Sequence, residues 1–309
     1  MKVLITPRGF ANYGLDKVRY MESKGLEVHY NNTGKAYTKE EFYNLAYDAD
    51  AIIVGVDIID KELIDKCPNL KVVCKFGVGT DNIDVDYAKE KGIIVGRTVG
   101  SNSKAVAEHV VALMFADAKN LYNTAKEVKE HKWNKPTGQE VSGKTIGIIG
   151  FGMIGKHIAN FANGLGMKVY AYDAFEITDE TAKEFNVEKK SFEEIISESD
   201  YVSLHVPLLE STKNMLSTEE FKKMKNDACL INAARGGIVD EEALYEALIN
   251  KEIRSAYFDV YSTEPPTEDD KLLALDNFIL TPHTAARTIE SEKRTCEMST
   301  EIILQNLLG

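Results

Sequence analysis

Cysteine is scarce and dispersed. Cys67, Cys74, Cys229 and Cys296 form no CxxC pair, a pattern that argues against both a disulfide framework and a zinc site. No apolar run approaches the roughly 18 residues needed to cross a bilayer. The N-terminus, MKVLITPRGF, passes straight into a strand-like apolar run and reads as lacking the longer apolar stretch and cleavage site of a secretion signal. Basic charge is in deficit: 37 Lys and Arg face 49 Asp and Glu, for a net charge of −12 and a pI near 5.1. That sign is wrong for gripping nucleic-acid phosphates, and no Lys/Arg cluster offsets it. Repeats, low-complexity tracts and Gly/Ser linkers are missing too. These absences leave a cytoplasmic protein with no metal, nucleic-acid or membrane partner as the simplest expectation.

What is present is an ordinary globular mixture, 44% hydrophobic and 28% charged, which excludes disorder as the main state. At roughly 150 residues per domain the length predicts two domains. Short apolar runs at 3–6, 27–30, 51–56, 71–74 and 93–95 read as strands, with helical stretches at 15–24, 39–46, 61–66 and 85–91 between them. Strands that are apolar throughout and alternate with helices predict a parallel sheet covered on both faces. A segment from 103 to about 130, with no Gly or Pro to stop it, reads as one long helix. Its first half is apolar on more than one face, so it belongs in a core or a subunit interface. After a break at 131–143 the alternation resumes, with strands at 145–150, 168–172, 201–206, 228–232, 256–260 and 278–281. The chain reads as two α/β units, each a doubly wound parallel sheet.

The second unit opens on TIGIIGFGMIGKHIANFA, in which Gly150, Gly152 and Gly155 give GxGxxG between an apolar strand and a helix. The pattern alone is weak, because glycines fall at this spacing in ordinary turns. Here the context is complete, since Asp173 closes the next strand about 20 residues on. Gly150 allows the tight turn, Gly152 lets backbone approach a pyrophosphate, and Gly155 permits close helix–strand packing. The helix N-terminus offers unpaired N–H groups to phosphate. Asp173 is expected to accept the adenosine ribose hydroxyls and to repel a 2′-phosphate, which favours NAD over NADP.

Ligands of open α/β sheets bind beyond the carboxyl ends of the strands. Arg235 follows CLINAA, Glu264 follows SAYFDV, and His283 follows FILTP. Each has a bland reading, as a surface arginine, a residue before a Pro-Pro turn, and a loop histidine. Their shared place after three strands of one sheet favours a site. An arginine grips a carboxylate with two parallel hydrogen bonds, and a histidine moves protons near neutral pH. A nearby carboxylate orients the ring and favours its charged form. With NAD, the matching reaction is hydride transfer at a carbon next to a carboxylate. His29, His131 and His157 have no motif around them, and His109 in the apolar helix reads as a core or interface residue.

At this point the sequence resembles the D-isomer-specific 2-hydroxyacid dehydrogenases over nearly its whole length. The resemblance rests on KFGVGTDNIDV (75–85), NSKAVAEHVVALM (102–114), GIIGFGMIG (147–155), HVPLLESTKNML (205–216), INAARGGIVDEEAL (231–244), DVYSTEPP (259–266) and TPHTA (281–285). It implies that Arg235, Glu264 and His283 are catalytic. It places Met153, Ile154, Asp173, Val206, Pro207, Ala233, Ala234, Arg235, Asp259 and His283 where that family contacts NAD. Val78 and Gly79 fall in the loop whose amides hold the substrate carboxylate. It also implies a flavodoxin-like substrate-binding domain, 1–97 plus 285–309, with a Rossmann NAD-binding domain, 98–284, inserted into it, and a homodimer built on the 103–130 helix. The implied substrate is a D-2-hydroxy acid, first of all D-3-phosphoglycerate, which would place the chain in serine synthesis. Phosphoglycerate-oxidising relatives often carry an arginine near IIVGVD (52–57) and another where this chain has Lys75. The first is lost and the second softened, so a phosphate pocket would have to come from Lys75, Arg287 and Arg8. A reductase of hydroxypyruvate, glyoxylate or another 2-oxo acid is the same-class alternative. An NAD(H)-sensing binding protein, as in the corepressors called C-terminal-binding proteins, is the alternative of another class.

Overall fold

In the computed structural model, which describes all residues Met1–Gly309, the chain divides into two units, Met1–Asn102 with Arg287–Gly309, and Ser103–Ala286. The first unit carries β1 (Lys2–Ile5), β2 (Glu27–Tyr30), β3 (Ala51–Val54), β4 (Val72–Lys75) and β5 (Ile94–Arg97), in the spatial order β2-β1-β3-β4-β5. All neighbouring pairs are parallel. β3, AIIV, is buried at every position, as expected of a central strand covered on both faces. Four helices of this unit start on side-chain caps: Thr38 and Glu41 form a capping box, while Asp60, Asp84 and Thr288 each accept a first-turn amide. The last helix, Ile289–Leu308, lays Cys296 and Ile303 against Val3, Ile5, Val72 and Cys74. A Cβ on Gly96 of β5 would come within 2.6 Å of Ile302 on that helix, so only glycine allows this approach.

The second unit carries β6 (Thr145–Ile149), β7 (Lys168–Tyr172), β8 (Glu188–Lys189), β9 (Tyr201–Leu204), β10 (Cys229–Asn232), β11 (Ser255–Phe258) and β12 (Phe278–Leu280), in the order β12-β11-β10-β9-β6-β7-β8, again all parallel. The strand order reverses between β6 and β9, so the ligand crevice lies beyond their carboxyl ends.

The unit boundaries sit a few residues from 97/98 and 284/285. Thr98 is tied to Gly77 of the first unit by three hydrogen bonds of 3.0–3.1 Å, and Ser101 accepts from Arg294 and Thr295. Ala285 is tied instead to Asp259 of the second unit.

The single helix expected over 103–130 is two: Ser103–Ala118, largely buried, and Leu121–Lys129, with no buried residue. Neither Gly nor Pro breaks it. The stretch 138–139 passes so close that Gln139 donates its amide to the Ala118 carbonyl at 2.7 Å, and a Cβ on Gly138 would sit 2.5 Å from the same oxygen. Asn120 then takes a left-handed φ of 52°, a conformation asparagine tolerates better than most residues. No helix is long and apolar enough to cross a membrane.

Candidate active site

Beyond β6 the turn at Gly150 has a φ of +98°, and a Cβ there would lie 2.5 Å from the His205 carbonyl oxygen beyond β9. A Cβ on Gly155 would meet the Gly150 oxygen at the same distance, so the helix Met153–Gly164 packs hard against the turn. Gly152 differs: its φ is −77°, and nothing lies within 4 Å of where its Cβ would be. Open space therefore faces the unpaired N–H groups at Met153–Gly155, the arrangement that accepts a phosphate. The residues fit the pyrophosphate of a dinucleotide.

Asp173 Oδ2 accepts the Phe151 amide at 2.6 Å and Oδ1 the Phe175 amide at 2.9 Å. The aspartate expected to meet ribose is thus also a brace for the glycine loop, and each oxygen retains a lone pair for a hydroxyl. His205 donates its backbone amide to Ile149, which joins the ends of β6 and β9. Its Nε2 is 2.7 Å from Ser203 Oγ, and its Nδ1 is buried without a partner. Burial pushes the imidazole down to about 3, so it is neutral. Val206 and Pro207 follow it along the crevice.

Arg235 sits in a turn that Asn232 builds: Asn232 Oδ1 accepts the Ala234 amide and its side-chain nitrogen donates to the Arg235 carbonyl, both at 3.0 Å. The guanidinium donates to the Ala234 carbonyl at 2.7 Å. Glu264 and His283 meet directly, His283 Nδ1 standing 2.8 Å from Glu264 Oε2. The other Glu264 oxygen accepts the Tyr261 amide at 2.9 Å, which fixes the carboxylate. With Nδ1 committed to an acceptor it carries the hydrogen, and Nε2 is left to exchange a proton. Both side chains stay accessible, at 50% and 40% exposure. They border a cavity of about 390 Å³ lined also by Asp259, Leu280, Thr281 and Pro282.

His283 has a φ of +53°. A side-chain-bearing residue holds that conformation only where its surroundings impose it, and Asp259 does so. Buried Asp259 accepts Thr281 Oγ1 at 2.5 Å, the Thr284 amide at 2.9 Å and the Ala285 amide at 2.8 Å. Glu241, on the helix after β10, accepts the amide and hydroxyl of Ser262, steadying the loop that presents Glu264. Asn232 and Glu241 went unnoticed in the sequence, although both lie in INAARGGIVDEEAL.

In the first unit, the Val78 and Gly79 amides bond no other protein group, as a carboxylate cradle requires. Lys75 turns inward: its Nζ donates to the Gly55 carbonyl and to Asn82 Oδ1, both at 2.6 Å. It fastens the ends of β3 and β4 rather than standing out as a loose phosphate cation. Arg287 Nε is 3.9 Å from Glu292, and Arg8 donates to the Gly34 carbonyl at 3.3 Å.

The family model for "D-isomer specific 2-hydroxyacid dehydrogenase, NAD binding domain" matches residues 111–285. A hydroxypyruvate reductase from Thermotoga maritima is 40% identical over 279 residues, covering 89% of this chain and 89% of its own length. A D-3-phosphoglycerate dehydrogenase from Archaeoglobus fulgidus is 40% identical over 280 residues, or 90% of this chain. The match spans only 52% of that relative's length. Among solved structures, a D-lactate dehydrogenase from Aquifex aeolicus complexed with NAD and lactic acid is similar with a TM-score of 0.81 and 30% identity, over 98% of this chain and 94% of that one. The chain therefore belongs to the D-isomer-specific 2-hydroxyacid dehydrogenases, NAD-dependent enzymes that act on CH–OH groups.

Proposed function

We propose that the enzyme interconverts small, unphosphorylated 2-oxo acids and their D-2-hydroxy acids, with hydroxypyruvate and glyoxylate as the substrate class. The observation that carries this over the phosphoglycerate reading is Lys75, whose Nζ is tied to Gly55 and Asn82. No arginine stands at the end of β3, where Gly55, Val56 and Asp57 follow, and Val56 is exposed. A phosphate would demand cations that the first unit spends on its own loop. One relative that matches this chain across most of its own length is named a hydroxypyruvate reductase.

NAD, when bound, supplies or removes the hydride at C2. Gly150, Gly152, Met153, Ile154 and Gly155 would hold its pyrophosphate and Asp173 its ribose, with Val206, Pro207, Ala233, Ala234 and Asp259 lining the crevice. Arg235 grips the substrate carboxylate with its two-pronged guanidinium and polarises the C2 oxygen. In the first unit, the Val78 and Gly79 amides, which bond no other protein group, are suited to donate to a carboxylate. In reduction, His283 Nε2 gives its proton to the C2 oxygen as the carbonyl becomes a hydroxyl; in oxidation it takes that proton back. Glu264 holds Nδ1–H and offsets the charge on the ring. We further infer a cytoplasmic homodimer. Free buried cysteines suit a reducing compartment, and Leu121, Tyr122, Val128 and Trp133 are each about half exposed or more on one helix and the loop after it.

The test follows NADH consumption over 3-phosphohydroxypyruvate, hydroxypyruvate, glyoxylate and pyruvate. The expected result is a higher kcat/KM for an unphosphorylated acid. A clear preference for the phosphorylated one would overturn the substrate assignment, and tight NADH binding without any turnover would favour the sensing protein.

A further inference from the structure

His109 has no part in the chemistry above, yet it reaches the loop that performs it. It stands on the helix Ser103–Ala118 with its side chain 21% exposed. Its Nε2 is 3.1 Å from Thr281 Oγ1 and 3.5 Å from Asp259 Oδ1. The direction of the hydrogens follows from what each group can do. Both oxygens of Asp259 already accept backbone amides, and the short 2.5 Å contact takes the Thr281 proton. The Thr281 oxygen then presents a lone pair to His109, so the hydrogen between them belongs to His109 Nε2. A continuous chain results. His109 donates to Thr281, Thr281 donates to Asp259, and Asp259 accepts the amides of Thr284 and Ala285, the two residues that follow His283. On the other side, His283 donates its amide to the Thr281 carbonyl at 2.9 Å. The left-handed backbone at His283 is therefore pinned on both sides by groups that end on His109.

We infer that His109 is a positioning residue for His283. From a separate helix, through Thr281 and Asp259, it holds the strained loop in the one shape that aims the imidazole at Glu264 and at the substrate. The inference rests on the reading of His283 as the acid–base group. Removing one hydrogen bond of this kind lets the loop relax toward ordinary backbone angles, and His283 then spends much of its time misaimed. The loss falls on turnover more than on binding, because misplacement of a reacting group acts on the chemical step.

The experiment compares H109L, H109Q, T281V and the H109L/T281V double variant with the parent, measuring kcat and KM for the preferred 2-oxo acid, NADH affinity and melting temperature. The expected outcome for H109L is a fall in kcat of about tenfold. KM for the oxo acid is expected to stay within about twofold. H109Q, whose side-chain N–H reaches the same oxygen, is expected to recover most of the loss. T281V breaks the same chain, so the double variant is expected to fall no further than the worse single one. Parental kcat in H109L would overturn the inference, as would equal losses in H109Q and H109L or losses that multiply in the double variant. H283N separates the two levels. If it keeps parental turnover, the acid–base reading itself fails. If it is inactive while H109L is unaffected, the failure is confined to His109.

Discussion

The three glycines of the fingerprint are subject to different constraints, and replacing each with alanine separates fold from cofactor. At Gly150 the φ of +98° is unfavourable for alanine, and the methyl would press on the His205 carbonyl at 2.5 and 2.6 Å. Left-handed strain of about 1–2 kcal/mol plus overpacking of similar size gives roughly 3 kcal/mol of destabilisation. In a unit of this size that lowers the melting temperature by roughly 10 °C. At Gly152, φ −77° and ψ −158° suit alanine, and nothing within 4 Å meets the methyl. Gly152→Ala is expected to melt within about 2 °C of the parent. Its methyl enters the space a pyrophosphate needs, and losing one charge-assisted N–H bond of about 1.5–3 kcal/mol weakens NADH binding roughly ten- to hundredfold. Fluorescence titration with NADH alongside thermal melting reads both quantities. Parental NADH affinity in Gly152→Ala, or a melting loss matching that of Gly150→Ala, would refute the assignment of this open space to the cofactor.

Replacing Arg235 with Lys puts a point charge where a two-pronged donor stands. Steady-state kinetics are expected to show kcat/KM lower by roughly ten- to hundredfold, with kcat and KM both affected. His205, held neutral down to about pH 3 against an ordinary value of 6.5, makes stability fall with acid. The contribution is complete above about pH 6.5 and is lost as pH drops toward 3, because only the unfolded imidazole takes up the proton. Between pH 7 and pH 5 this amounts to about 2 kcal/mol, and His205→Asn is expected to flatten that part of the melting-temperature profile. Glu292 has the opposite sign, since burial raises its carboxyl above the ordinary range, partly countered by Arg287. Its stabilising effect is present below about pH 4.5 and is lost as pH rises. Glu292→Gln is therefore expected to melt a few degrees higher than the parent at pH 7 and no higher at pH 4.

Both sheets were legible because strands buried on two faces are apolar at nearly every position, as β3 (AIIV) is throughout and β9 is except at Ser203. The fingerprint was legible because a tight turn, an open approach and a close packing each need glycine, and Gly150, Gly152 and Gly155 show one apiece. Glu264 and His283 declared themselves by following strands of one sheet, and they stand 2.8 Å apart. What escaped the sequence has no local signature. The helix break at Asn120 comes from a remote segment that captures the Ala118 carbonyl, not from a breaker in the helix. β8 is two residues long at the sheet edge, too short for any periodicity. A sequence lists the charge of Lys75 without its direction, and the fold turns that amine onto Gly55 and Asn82. Asp173 was read for its ribose role, while its hold on Phe151 and Phe175 depends on how the glycine loop folds back. His109 read as a core or interface residue because its partners, Thr281 and Asp259, lie just beyond distant strands.

Hydride transfer is tested most directly by incubating the purified protein with NADH deuterated at C4 of the nicotinamide and with hydroxypyruvate, glyoxylate or pyruvate, then analysing the product by mass spectrometry and chiral chromatography. Hydride transfer from the nicotinamide puts deuterium at C2 of the hydroxy acid and gives the D configuration wherever C2 is a stereocentre. Tight binding of NADH with no label reaching any 2-oxo acid, 3-phosphohydroxypyruvate included, would contradict it.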